Sequence, residues 1–293
     1  MYASFPQLDH QLYQQVESLC KQCREQDGGT PLLYPNLLMQ RRNSESNWLM
    51  IEHEQCVGMA SVYYFYDEAC EITLMVAPDH RKQGIATQLL KLLMPQLWQH
   101  GMKRLIFTVG TDSPYKSWLQ EKGLTYLTSE YHMQREGYDP KLMGERELQV
   151  RPARRRDIEV LCQIDDQCFS HRPEMAERFA SLINDAQYTL LVAEYNHKII
   201  GKAHIHWQNN EAVLSDIAIL PLYQGQGLGG ELLASAIGKA LKEGFNRQTL
   251  DVETTNAHAL QLYKRYGFKT FDAHDYWQLS LTELEHWLRQ HYA

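Results

Sequence analysis

The sequence predicts a mixed α/β protein built from two similar domains, each a central mixed sheet flanked by helices. Three observations predict it. The chain has 293 residues, more than one ordinary domain holds. A segment beginning at residue 72 recurs beginning at residue 215. Each copy reads as a strand meander followed by alternating helices and strands, the order that builds a mixed sheet with helices on both faces.

Taken in order, the first helix opens at Asp9 and closes near Gly28 and Gly29, with Leu12, Val16, Leu19, Cys20 and Cys23 on one face. Cys20 and Cys23 form a C-x-x-C, but no second pair stands at a ligand-like distance, so both are read as apolar-face residues and no metal is expected. The opening strand of this copy is short or missing, and the copy runs to about residue 135. A polar stretch with Gly137, Pro140 and Gly144 reads as a linker over 136–147.

The second copy, 148–293, opens with a short strand at 148–151 and helices near 155–168 and 174–184. Strands follow at 189–195, 198–207 and 212–219, with a tight turn at Asn196 and His197. Next come a helix over 227–243, a strand at 248–253, a helix at 257–266 and two final strands. Beyond Leu281 an amphipathic terminal helix carries Leu284, Trp287 and Leu288 on one side.

The two copies align by residue number. Pro78 matches Pro221, Gly84 matches Gly227, and Leu89 and Leu90 match Leu232 and Leu233, each pair 143 positions apart by subtraction. Such a period is a domain length, so it marks a duplication rather than a short solenoid repeat.

Composition narrows the function. A formal net charge of −7 disfavours nonspecific nucleic-acid binding and suits a cationic substrate better. No apolar window spans a membrane, and no basic and apolar leader opens the chain. Six cysteines are too few for a disulfide framework at this length, so a cytoplasmic protein is expected.

The strongest local signal is Gln224-Gly225-Gln226-Gly227-Leu228-Gly229, between a strand and a helix. A glycine turn there lets backbone N–H groups approach a phosphate, helped by the positive end of the helix dipole. The first copy offers Arg81, Gln83, Gly84 and Ala86 at the same place, with Arg81 and Lys82 as added cations. Gly225, Gly227 and Gly230 also satisfy the dinucleotide pattern G-x-G-x-x-G, with Asp251 downstream. However, four residues from Pro221 to Gln224 separate the strand from the first glycine, and the first copy lacks the three-glycine pattern.

Q/R-x-x-G-x-G/A after an apolar strand and a proline resembles the pyrophosphate-binding motif of the GNAT superfamily of acyl-CoA-dependent N-acetyltransferases. The later run Asn256, Ala259, Leu262, Tyr263, Gly267, Phe268 resembles that superfamily's N-x-x-A-x-x-L-Y-x-x-x-G-F segment. The chain therefore looks like two GNAT-like domains in tandem. The resemblance implies acetyl-CoA as cofactor and an amine acceptor, with no nucleic acid or membrane partner and a monomer or homodimer. Main-chain groups of Ile217, Ala218 and Ile219 would pair with the pantetheine arm, and residues Gln224 to Gly229 would hold the pyrophosphate. Asn256 would contact the cofactor arm, and Tyr263 would stand near the sulfur. Ala259, Leu262, Tyr263 and Tyr266 also share one helical face, so packing alone accounts for the same pattern.

Direct transfer needs a neutral amine and a proton for the departing thiolate. A lysine-like amine spends roughly 4–5 kcal/mol reaching its neutral form at pH 7. A carboxylate or His removes that proton and a tyrosine hydroxyl supplies the other. Tyr263 is the expected acid. Glu253 and Asp216 lead as bases, ahead of His204 and His206. The first copy places Leu119 where Tyr263 stands and Asp112 where Asn256 stands, with Tyr115 one turn before Leu119, so it is expected to be catalytically degenerate. A non-catalytic acyl-CoA sensor or scaffold, and a protein lysine acetyltransferase, are the alternatives.

Overall fold

A computed structural model describes residues 1–29, 32–42, 44–137, 147–169, 174–208 and 210–291. The chain forms two compact units: Met1–Glu130 with Ala273–Ala293, and Tyr131–Asp272.

In the first unit, β1 (Tyr2–Phe5), β2 (Asn47–Glu52), β3 (Gln55–Tyr63) and β4 (Ala69–Val76) form an antiparallel run. The opening strand is thus present, though only four residues long. Then β5 (Arg104–Gly110) lies parallel to β4. The helices are α1 (His10–Asp27), α2 (Pro35–Met39), α3 (Ile85–Gln99) and α4 (Lys116–Glu121). Asp9 caps α1 by accepting from the Leu12 N–H at 2.8 Å, and Gly28 ends it in the left-handed conformation. As the periodicity requires, α1 buries Val16, Leu19 and Cys23. No His/Cys/Asp/Glu cluster able to hold a metal occurs among the described residues.

The second unit contains β7 (Gln149–Pro152), α5 (Ile158–Cys168), α6 (Met175–Asn184), β8 (Tyr188–Tyr195), β9 (Lys198–Gln208) and β10 (Glu211–Ile219). It continues with α7 (Leu228–Lys242), β11 (Arg247–Glu253) and α8 (Ala257–Arg265). The meander runs antiparallel from β7 to β10, and β11 lies parallel to β10. Asn196 and His197 make the tight turn with φ of 49° and 62°, and His53 and Glu54 repeat it in the first unit with 47° and 62°.

The expected boundaries, 1–135 and 148–293 with a linker at 136–147, are corrected at both ends of the C-terminal copy. Strand β6 (Thr125–Glu136) leaves the first unit at Glu130, and its residues 131–136 lie beside β11 in the second. There His132 meets Asp251, and Arg135 bonds to Gln248 at 2.6 Å and the Tyr266 carbonyl at 3.0 Å. One strand, β12 (Lys269–Ser280), replaces the two expected at the C-terminus. Its residues 274–280 pair antiparallel with β5, so Ala273–Ala293 completes the first unit. The terminal helix α9 (Leu281–His291) follows and buries Leu284 and Leu288 in that unit's core. Of the expected linker, Glu136 is strand and residues 138–146 lie outside the described residues.

Candidate active site

The site lies in the second unit, where β10 and β11 part. Their ladder joins Ala212 to Gln248 and Val213 to Thr249, and among the described residues it ends there. The rest of β10 pairs on its other side with β9. One edge of residues 215–219 is therefore left for an extended ligand, the way a sheet edge takes an added strand.

The strand is not regular over that stretch. Its register with β9 shifts between Ser215 and Ala218, and Asp216 sits there with φ of 48°. The first unit has no such shift: Ser61 pairs with Thr73, and Met59 with Met75. His204 instead faces Ser215, and Lys202 faces Ala218. Registers therefore equate Thr73 with Ser215 and Met75 with Ala218, which makes Asp216 a residue inserted at a β-bulge. The constant offset read from sequence fails upstream of that point. Bulges of this kind re-aim a side chain beside functional sites.

After β10, a single 3-10 turn (Pro221–Tyr223) leads to the glycine segment. Gly225 and Gly227 take φ of 76° and 85°, which a side chain resists, and a Cβ at either would meet nothing within 4 Å. Both observations describe a turn built to let something approach its backbone. Gly227 starts α7 without a side-chain cap, and among the described residues the N–H groups of Gly225 to Gly229 have no intrachain acceptor. They suit a diphosphate. Gln224 does not point at that space, because its Nε2 donates to the Ile219 carbonyl at 2.7 Å. Gly230 serves packing: a Cβ there would come within 2.7 Å of the Tyr266 hydroxyl. With Asp251 against His132, the dinucleotide reading loses its acidic residue as well.

Asn256 caps α8, its Oδ1 accepting from the Ala259 N–H at 3.1 Å. Tyr263 on that helix is 8% exposed and stands edge-on to Phe268. Burial pushes its hydroxyl up to about 12, so it stays protonated across neutral pH. Glu253 ends β11 as an exposed side chain, 3.4 Å from the Thr255 hydroxyl. Asp216 lies in different surroundings: Oδ2 is 3.3 Å from His204 Nδ1, and Oδ1 is 3.9 Å from Lys202 Nζ. Lys202 is fully buried and paired with buried Asp165 of α5. Sequence reasoning missed Lys202 and Asp165, which carry no local motif. His206 stacks on Tyr188 at 4.2 Å.

The first unit repeats the turn with Arg81 engaged. Gly84 starts α3 with φ of 81°, and Lys82 takes φ of 59° where the second copy has Gly225. Arg81 donates through Nε to the Val76 carbonyl at 3.1 Å, through both terminal nitrogens to Asp27 at 2.8 Å, and to the Tyr115 hydroxyl at 2.8 Å. Arg81 thus holds the strand end as Gln224 does. Arg81, expected to add a phosphate contact, spreads its donors over this set of intrachain partners. Leu119, at the Tyr263 position, is buried in the core. Gln83 donates to the Asp79 carbonyl at 3.2 Å, and Ala86 lies in the first turn of α3.

A cavity lies elsewhere in this unit. It measures about 810 Å³ and is lined at the C-terminal end of α7 by Glu136, Asn210 and residues 243–247.

Comparison with known proteins agrees with this architecture. The profile of the acetyltransferase (GNAT) family matches residues 12–116 and again 158–268. A mycothiol acetyltransferase of Propionibacterium freudenreichii is 26% identical over 280 residues, covering 86% of this chain and 84% of its own. A putative [ribosomal protein bS18]-alanine N-acetyltransferase of Bacillus subtilis is 29% identical over 120 residues, covering 41% of this chain and 80% of its own. Among solved structures, a GCN5-related N-acetyltransferase from Sphaerobacter thermophilus superposes with TM-score 0.76 at 14% identity, covering 96% and 95% of the two chains. A tandem GNAT protein from the clavulanic acid pathway does so with TM-score 0.71 at 13% identity, covering 96% and 98%. The two matched regions coincide with the two copies of the strand–glycine-turn–helix arrangement, and this chain belongs to the acetyltransferase (GNAT) family as a tandem member.

Proposed function

We propose that the second unit transfers an acetyl group from acetyl-CoA directly to a primary amine of a small molecule or peptide, with Tyr263 as general acid. The observation that carries this reading is the open glycine turn beside the parted strands, with buried, protonated Tyr263 on the next helix. In this reading the N–H groups of residues 225–229 hold the diphosphate, and the free edge of Ile217, Ala218 and Ile219 aligns the pantetheine arm. The Asn256 side chain, whose Oδ1 caps α8, keeps its amide for the cofactor arm. A main-chain N–H at the bulge polarises the thioester carbonyl. Of the two carboxylates proposed to serve the amine's deprotonation, directly or through a neighbouring base, Asp216 is favoured over Glu253, because it sits in a buried charged group while Glu253 is exposed.

The first unit is proposed as a degenerate partner. Leu119 supplies no proton, and the Arg81–Asp27–Tyr115 cluster fills its own hydrogen bonds. Acetyl-CoA titration by calorimetry tests both assignments with Gly227→Glu and Gly84→Glu variants. One site lost only with Gly227→Glu is expected. No binding by the wild-type chain would refute the enzyme reading, and loss only with Gly84→Glu would reverse the roles of the units. A screen of amines for acetyl-CoA turnover then separates a transferase from a non-catalytic sensor.

A further inference from the structure

The second unit buries a charged group that the first does without. Lys202 and Asp165 are 0% and 1% exposed, and Asp216 and His204 complete the group. In the first unit the registers put Met59 and Ser61 in place of Lys202 and His204, and Asp216 has no counterpart. Burying ions instead of apolar side chains of like size is often unfavourable, and a non-glycine residue in the left-handed region adds strain. The fold needs neither, since its other copy lacks both.

His204 shows what the group is arranged around. Its Nδ1 faces the Asp216 carboxylate, so the imidazole proton belongs on that nitrogen. Its Nε2 is buried and has no hydrogen-bond partner among the described residues, and the residue is only 4% exposed. A bare lone pair in a buried position is costly unless something donates to it. Phe179 of α6 stands edge-on to the ring at 5.9 Å and offers no donor. A carboxylate on one nitrogen and an unfilled lone pair on the other is the arrangement of an oriented base.

We propose that His204 Nε2 takes the proton of the acceptor's ammonium group, with Asp216 as the positioning residue that fixes its tautomer. This rests on the transferase reading above. One ammonium proton passes to Nε2, directly or through one water. The amine nitrogen then forms the C–N bond as the C–S bond breaks, and the sulfur takes the Tyr263 proton. The second nitrogen proton leaves to solvent, Tyr263 regains one from solvent, and His204 releases its own, so each turnover frees one proton. Burial lowers the His204 pKa, opposed by Asp216 and reinforced by Lys202 and by Arg178 of α6, so the imidazole is neutral at pH 7.

The test measures acetyl-CoA affinity by calorimetry and amine-dependent turnover against pH, using a mixture of amino-acid amides and amino sugars as acceptors. For the wild type, kcat/KM should fall on the acid side as His204 protonates. His204→Gln should keep acetyl-CoA affinity, lose about 100-fold in kcat and lose that acid limb. Asp216→Asn should keep affinity, lose less rate and move the limb to lower pH, because a carboxylate that raised the His204 pKa is gone. An unchanged acid limb in either variant overturns the proposal while leaving the transferase reading intact. If His204→Gln fails to fold, the direction of the Asp216→Asn shift decides. A wild-type chain with neither acetyl-CoA binding nor turnover overturns both.

Discussion

The Gln224 side-chain amide donates to the Ile219 carbonyl across 2.7 Å, and this bond ties the glycine turn to the end of the strand before it. Cys168 reaches the same carbonyl from α5 at 3.5 Å. The first unit makes the equivalent pair of contacts to Val76, from Arg81 at 3.1 Å and Cys23 at 3.5 Å. The turn is thus held by side chains, which leaves its own N–H groups open. Gln224→Ala should therefore loosen the turn and weaken acetyl-CoA binding about tenfold, a loss near 1.4 kcal/mol. Calorimetry on the variant checks this.

Gly227 starts α7 at φ of 85°. Gly227→Ala should cost about 1–2 kcal/mol of stability through backbone strain alone, because no neighbour lies within 4 Å of the added Cβ. Urea unfolding measures that cost. Gly227→Glu adds a carboxylate where a diphosphate is proposed to bind, so it should lose acetyl-CoA affinity well beyond the alanine variant.

Tyr263→Phe keeps the ring against Phe268 and removes the hydroxyl. Turnover should fall about 100-fold with acetyl-CoA affinity unchanged. Equal loss of affinity and rate would instead mark the residue as packing.

Asp157 is held below the ordinary carboxylate range by hydrogen bonds from Arg151, which outweigh its burial, and by the Arg154 N–H. A depressed folded-state pKa gives stability that is present above the unfolded value, about 3.9 for Asp, and lost as pH falls through the folded value. Unfolding free energy should thus drop as pH is lowered below about 4. Asp157→Asn should be less stable at pH 7 and lose less on acidification, as urea midpoints across a pH series would show.

Leu284 is 3% exposed and Leu288 4% exposed in the core of the first unit. Either changed to Ala should cost about 2–5 kcal/mol. A fragment ending at residue 147 lacks both this helix and the strand on β5, so it should fail to fold cooperatively. Thermal melts and hydrogen exchange test both statements.

Local sequence carried a large part of this protein. The duplication, the tight turn at Asn196 and His197, the glycine segment and the α8 motif all rest on short-range rules: periodicity of 2 or 3.6, capping, and glycine's freedom at positive φ. Those rules also made Asp216 visible as an acid on a strand. Long-range pairing decided the rest. Whether 274–280 completes its own copy or pairs with β5 depends on contacts more than 160 residues away in sequence, such as Trp277 opposite Phe107, and alternating strands look alike to either partner. The bulge that inserts Asp216 is likewise a property of two strands in register. So is the group of Asp165, Lys202, His204 and Asp216, whose members come from one helix and two strands and acquire meaning only when burial removes water from between them.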